Sequence, residues 1–314
     1  MPKRLVGQQY QPALFEDINI NRPVNVSSVP LRSPFRYPGG KTWFIPYIRR
    51  WLSLKPRTAL FIEPFAGGGI ISLTVAAEEL AERVVMVERD KEVAAVWEVI
   101  LGDGGQWLAD EIMNFDVTSE TVKALLSRQR YNVRQRALAT IVKNRVNHGG
   151  VLAPRAGRLN KGEKLKNGQD FKGLTSRWYP ETLKTRILDI VRMRERIDFI
   201  HGDGIRAMRK CGHCTDAAYF IDPPYVAAGK RLYRHSTLDH EKLFRAAEAL
   251  AGDFLMTYDD TETIRNLAYK YGLATLDIPL HKVNNTHHEE KIELLIGRDL
   301  TWVQEKCSLP SSIL

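Results

Sequence analysis

The sequence predicts an α/β protein: a mostly parallel, seven-stranded sheet with a mainly helical segment inserted into it. Three observations carry that expectation. From Thr58 onward, short apolar runs alternate with amphipathic stretches. Several of those runs stop at a carboxylate or a glycine turn. Between residues 115 and 197 the alternation lapses and basic residues accumulate. Alternating strands and helices imply a parallel sheet covered on both faces, with any ligand beyond the carboxyl ends of the strands. A chain of 314 residues has room for one such domain and an insertion.

Residues 1–33 open the chain with Gln, Asn, Pro and Val in no period, and a weakly ordered arm is expected there. Strands are expected at Ala59–Glu63, Val84–Glu88, Phe199–His201, Tyr219–Asp222, Phe254–Thr257, Thr275–Ile278 and Ile292–Ile296, the last antiparallel. Helical spacing marks Ile70–Leu80, Lys91–Leu101, Arg206–Lys210, Glu241–Ala251 and Glu262–Tyr271. Further helical patterns, Thr121–Asn144 and Pro180–Arg196, flank the Gly/Lys/Asn-rich stretch Gly149–Trp178. A long irregular stretch of that kind is usually functional or disordered. The expected division is therefore a main domain of residues 34–114 and 198–305, an inserted domain of residues 115–197, and a tail of residues 306–314.

The charge is unevenly spread. Residues 115–200 hold 19 Lys/Arg and 8 Asp/Glu, a net of +11. The whole chain carries +9, so the remainder is at −2. Such a basic segment fits a polyanion partner and disfavours a small-molecule substrate. No apolar run approaches membrane length and no charged-then-apolar leader opens the chain, so a cytoplasmic protein is expected. Three cysteines make no disulfide framework. Cys211-Gly212-His213-Cys214 has the spacing of half a zinc site, but no second pair follows, and no metal is expected.

Two motifs carry chemistry. The apolar run Ala217–Ile221 leads into Asp222-Pro223-Pro224-Tyr225. Proline lacks an N–H and fixes φ, so the strand ends there and leaves backbone carbonyls without a local donor. A carboxylate, free carbonyls and an aromatic ring together suit an in-plane amino group of a stacked base. Farther upstream, Phe61-Ile62-Glu63-Pro64-Phe65-Ala66-Gly67-Gly68-Gly69 reads as a strand, a glycine turn and a helix start, the arrangement in which backbone approaches a nucleotide closely. Glu88, nineteen residues beyond Gly69, ends the next strand where a carboxylate holds ribose hydroxyls, with Asp90 as competitor. Before the first strand, Tyr37-Pro38-Gly39-Gly40-Lys41 makes a tight turn that sets a lysine beside its end, where a cation could pair with a methionine carboxylate.

Read in order, Tyr-Pro-Gly-Gly-Lys, Glu-Pro-Phe-Ala-Gly-Gly-Gly, an acidic strand end, a basic insertion and Asp-Pro-Pro-Tyr resemble the Dam family of adenine-N6 DNA methyltransferases over roughly residues 34–300. The resemblance implies a Rossmann-like methyltransferase fold with S-adenosylmethionine as cofactor and double-stranded DNA as partner. It implies cofactor contacts from Tyr37, Lys41, Phe65, Gly67, Gly69, Glu88, Asp203 and Asp222, and catalysis by Asp222, Pro223 and Tyr225 on a flipped-out adenine. The inserted segment would be the target-recognition domain, with Arg155, Arg158, Asn160, Lys161, Arg177 and Trp178 as DNA-contacting candidates. Asn144-Arg145, Ser176-Arg177-Trp178, Asn284-Asn285-Thr286 and Glu293-Leu294-Leu295-Ile296 also resemble family segments. Tyr37 stands where the family often has Trp, and Glu88 where it usually has Asp. Alternatives are another amino acceptor (cytosine N4, RNA adenine or protein glutamine) or an inactive DNA-binding relative. Cytosine-N4 enzymes more often carry Ser and glutamine enzymes Asn where Asp222 stands, so adenine in DNA is the favoured acceptor.

Overall fold

The computed structural model describes residues 26, 29–36, 39–55, 58–153, 157, 159, 173–225, 238–280 and 291–303. Seven strands form one sheet: β1 (Leu60–Glu63), β2 (Arg83–Glu88), β3 (Ile197–His201), β4 (Ala217–Ile221), β5 (Asp253–Asp259), β6 (Ala274–Leu280) and β7 (Lys291–Gly297), in the order β3-β2-β1-β4-β5-β7-β6. Neighbours from β3 to β5 run parallel. β7 runs antiparallel to both β5 and β6. This is the mostly parallel seven-stranded sheet that the sequence led us to expect, with all seven strands in the expected places.

β4 shows why these residues form a central strand. All five of its positions are buried, and they alternate between two cores: Ala218 and Phe220 on one face, Ala217, Tyr219 and Ile221 on the other. Ten α-helices are described: α1 (Ile45–Ser53), α2 (Ile70–Ala77), α3 (Lys91–Leu101), α4 (Gly105–Asn114), α5 (Ser119–Leu126), α6 (Val133–Val146), α7 (Pro180–Arg192), α8 (Gly204–Cys211), α9 (His240–Glu248) and α10 (Glu262–Lys270). Several of their starts are capped by short polar side chains: Asp90 accepts from Glu92 N at α3, Thr118 and Asn132 close capping boxes at α5 and α6, and Asp203 and Asp239 cap α8 and α9.

The direction of β7 sets the site. Because it is antiparallel, its beginning lies beside the end of β5, with Asp259 opposite Glu293. The carboxyl edge of the sheet thereby collects polar groups from five adjacent strands: Glu88 ends β2, Glu63 ends β1, Asp222 follows β4, Thr257 lies near the end of β5, and Glu293 opens the row on β7.

Two expected boundaries come out differently. The arm expected through residue 33 is anchored before that point: Val29 and Ser33 are buried, and the Ser33 hydroxyl donates to Gly68 O. The helices expected to form an inserted lobe share the main core instead. α6 packs on α3 and α7 on α4, and Ala137, Ile141, Val142, Val146, Leu183, Ile187 and Ile190 join the same apolar cluster as Phe61 and Trp97. Their apolar faces are too large to stay uncovered, and the exposed faces of α3 and α4 supply the partner surface. Among the described residues, no helix is long and apolar enough to cross a membrane.

Candidate active site

The glycine turn after β1 is shaped by contacts beneath it. Gly69 has φ +65°, and a Cβ there would lie 2.6 Å from Met86 Cε and 3.0 Å from the Trp97 ring. Trp97 Nε1 donates to Gly67 O at 3.0 Å, and Ser33 holds Gly68 O from the other side. The Gly67 amide donates to Glu88 Oε2 at 2.9 Å, while Glu88 Oε1 accepts from Asp90 N at 2.7 Å. Burial pushes the Glu88 carboxyl up to about 7, against the pull of these backbone donors. Asp90, the competitor for the ribose, is engaged as the cap of α3.

This turn lines a cavity of about 400 Å³ whose walls also carry Lys41, Glu63, Phe65, Glu88, Asp203, Asp222, Pro224 and Arg186. Phe65 packs on the first turn of α8: a Cβ at Gly204 would meet Pro64 O at 2.3 Å and the Phe65 ring at 3.1 Å. Asp203 caps that helix through Arg206 N. Glu63 is buried with Oε2 accepting from Ser72 N at 3.0 Å, and burial lifts its carboxyl to about 8. An open glycine turn, an aromatic ring and carboxylates at two strand ends are a donor and acceptor set that fits an adenosyl group.

At the far wall stands a buried charge cluster. Lys41 Nζ lies 2.9 Å from Asp222 Oδ1, 3.1 Å from Glu293 Oε1 and 2.7 Å from Tyr225 Oη. The Thr257 hydroxyl donates to the same Asp222 Oδ1 at 2.9 Å. The Tyr225 hydroxyl donates to Glu293 and sits 3.1 Å from Asp222 Oδ1. Burial alone would lower Lys41, but Asp222 and Glu293 together outweigh it and hold the ammonium above the usual lysine range. Burial and the two carboxylates push the Tyr225 phenol well up. Its ring stacks on Tyr258 at 5.9 Å.

The expected site residues divide accordingly. Lys41, Phe65, Gly67, Gly69, Glu88, Asp203 and Asp222 all meet on one cavity. Tyr37 lies outside the described residues, as do Arg155, Arg158, Asn160 and Lys161. Lys41 lines that cavity with its ammonium paired to two protein carboxylates. Pro223 is buried, and Tyr225 is turned by its hydroxyl into the charge cluster. Trp178, expected at a DNA face, packs against Phe115 at 5.8 Å beside the main core, as the apolar area of an indole favours. Arg177 instead belongs to a group of cations with Arg36, Arg145 and Arg186. Arg145 donates to Pro34 O, Arg186 donates to Ser33 O, and none of the four pairs with a carboxylate among the described residues. Burial, then Arg186 and Arg36, bring Arg145 down to about 10. The Nε atoms of Arg145 and Arg177 are buried without a partner.

Residues 37–145 match the family model of the D12 class N6 adenine-specific DNA methyltransferases. The match supports a Dam-like adenine methyltransferase family. Its span runs from Tyr37 and Lys41 through the glycine turn and Glu88 to Asn144-Arg145 at the end of α6. A comparison with curated proteins returns no match. Among solved structures, the chain is similar to an rRNA methyltransferase from Streptomyces viridochromogenes (11% identity, 84% of this chain and 86% of that one, TM-score 0.36). It is also similar to a precorrin-6y C5,15-methyltransferase from Geobacter metallireducens (8% identity, 80% and 84%, TM-score 0.34). Within the Dam-like pattern, sequence reasoning passed over Glu63, Thr257 and Glu293 as site residues. Glu63 and Glu293 had a legible signal, a charged residue inside or ending an otherwise apolar strand.

Proposed function

We propose that the protein transfers a methyl group from S-adenosylmethionine to N6 of an adenine extruded from duplex DNA. The observation that carries this reading is Asp222, held among the described residues by Lys41 and Thr257 through Oδ1, on the cavity lined by the glycine turn and Glu88. An adenine N6 lone pair is delocalised into the ring and is a poor nucleophile. Asp222 Oδ2 and the Pro223 carbonyl accept the two N6 hydrogens, which favours a tetrahedral nitrogen with a localised lone pair. Those bonds strengthen as N6 becomes positive, so they lower the barrier more than they tighten substrate binding. The cofactor supplies the electrophilic methyl. Glu88 would hold its ribose hydroxyls, Asp203 its adenine edge, and the Phe65 ring would offer a cation–π contact to its sulfonium. Extrusion of the base costs a few kcal/mol, and the arginine group beside the cavity offers charge for the phosphates of the strand.

The test is direct. Protein is incubated with methyl-labelled S-adenosylmethionine and unmethylated duplex DNA, which is then digested to nucleosides. Label in N6-methyladenosine is expected. Label in cytosine, or label taken up only by RNA or protein, sinks the reading. Asp222→Ala should lower the transfer rate by at least about a hundredfold while DNA binding persists.

A further inference from the structure

Glu293 is 2% exposed on β7 and cannot touch a substrate, yet it contacts two residues of the site. One carboxylate oxygen meets Lys41 Nζ, and the same oxygen accepts the Tyr225 phenol proton. Donor counting gives the consequence. An ammonium has three N–H groups, and Lys41 already faces Asp222, Glu293 and the Tyr225 oxygen, with Gly39 O a fourth neighbour at 3.3 Å. No N–H is left over for a ligand carboxylate. A carboxylate oxygen has two lone pairs, and Asp222 Oδ1 already takes Lys41 and Thr257. Among the described residues, no contact is recorded for Oδ2.

We propose that Glu293 is a positioning residue for the amino-group acceptor: it stations Lys41 on Asp222 Oδ1 and ties down Tyr225, so that Oδ2 alone is presented to the substrate amino group. Lys41 then serves Asp222 and not the cofactor. Without Glu293, a lysine with a single carboxylate partner could bridge both Asp222 oxygens and compete with the substrate for Oδ2. The sheet makes the arrangement rigid, because Asp222, Thr257 and Glu293 come from the adjacent strands β4, β5 and β7. The inference rests on Asp222 as the acceptor of the proposed reaction.

The experiment uses the full chain with Glu293→Gln, Lys41→Met, the double variant and Tyr225→Phe. Cofactor affinity is measured by calorimetry, and kcat, KM for DNA and the pH profile of kcat by methyl transfer. Glu293→Gln should lower kcat at least about tenfold with cofactor affinity and KM little changed. It should also move the alkaline limb of kcat to lower pH, because Lys41 loses one of its two anions. The double variant should be no worse than the worse single one, as expected for residues that act as a unit. Multiplying losses, an unmoved pH limb, or a defect confined to KM would overturn the proposal. Should Glu293→Gln fail to fold, Tyr225→Phe removes the same contact while keeping the ring, and unchanged kcat there is equally fatal. Lys41→Met should leave cofactor affinity within about threefold, whereas a loss of about a hundredfold puts Lys41 on the cofactor. Failure of the wild type to methylate DNA defeats the functional reading instead, and the Lys41→Met binding result still decides the lysine's assignment.

Discussion

The Gly67 amide and the Glu88 carboxylate, 2.9 Å apart, join the glycine turn of β1 to the end of β2. The same carboxyl is raised by burial to about 7, which gives two opposite pH trends. A carboxyl raised in the folded state stabilises the fold below its unfolded value near 4.5, and that contribution is lost as pH rises through about 7. Ribose hydroxyls, by contrast, donate to the ionised form. Cofactor affinity should therefore rise between pH 6 and 8 by up to about tenfold per unit below the midpoint, with release of a proton. Calorimetry in buffers of different ionisation enthalpy reads both. Glu88→Gln should weaken binding by about tenfold at pH 8 and flatten the dependence. A pH-independent affinity in the wild type would remove Glu88 from the ribose.

Asn144 on α6 clamps the segment that leads into Lys41. Its Oδ1 accepts from Arg36 N at 2.9 Å, and its Nδ2 donates to Arg36 O at 3.0 Å and Gly150 O at 2.7 Å. Asn144→Ala strands three backbone groups, two of them within the site's approach. The expected cost is about 3 kcal/mol, read as a lower urea midpoint at unchanged m. Cofactor affinity should fall with it, because Ser33 and Gly39 lie on the same segment and line the cavity. An unchanged midpoint would mean that water or a neighbour replaces the amide.

The strands were legible because each is a short apolar run, and those that build the site end on a group with chemistry, as at Glu63, Glu88 and Asp222. α1 and α4 were not. Pro46 in the first turn of α1 reads as a break, and Gly102-Asp103-Gly104-Gly105 before α4 reads as a loop. The residue types at the site were also legible, but their pairing was not. That Tyr225 meets Glu293, 68 residues later, depends on β7 running backwards beside β5, which no local pattern encodes. Likewise, the lapse in the strand–helix alternation did not reveal that the helices flanking the irregular stretch share the main core.

The arginine group predicts a salt response. Arg36, Arg145, Arg177 and Arg186 meet without a carboxylate among the described residues, so an anionic strand would find them unneutralised. Arg177→Gln should weaken DNA binding and reduce the slope of log K against log salt by about 0.9, the value for one phosphate contact on duplex DNA. Cofactor affinity should not move. A parallel loss at every salt concentration, with the slope unaltered, would take Arg177 off the backbone.

Gly204 offers the sharpest packing test. It begins α8 directly after Asp203, and a methyl group there would lie 2.3 Å from Pro64 O, a backbone atom that no rotamer change can move. The same methyl would press the Phe65 ring at 3.1 Å. Relief requires the β1 turn and the start of α8 to part, and those two elements carry Phe65 and Asp203, which line one cavity. Gly204→Ala should therefore cost about 1–3 kcal/mol of stability and raise the cofactor Kd by about tenfold, because overpacking is relieved at the wall proposed to hold the adenosyl group. Calorimetry on protein shown to be folded by its thermal transition separates the two effects. A stability loss with wild-type cofactor affinity would show that the strain is absorbed elsewhere, and that Phe65 and Asp203 do not grip the cofactor from the positions they occupy.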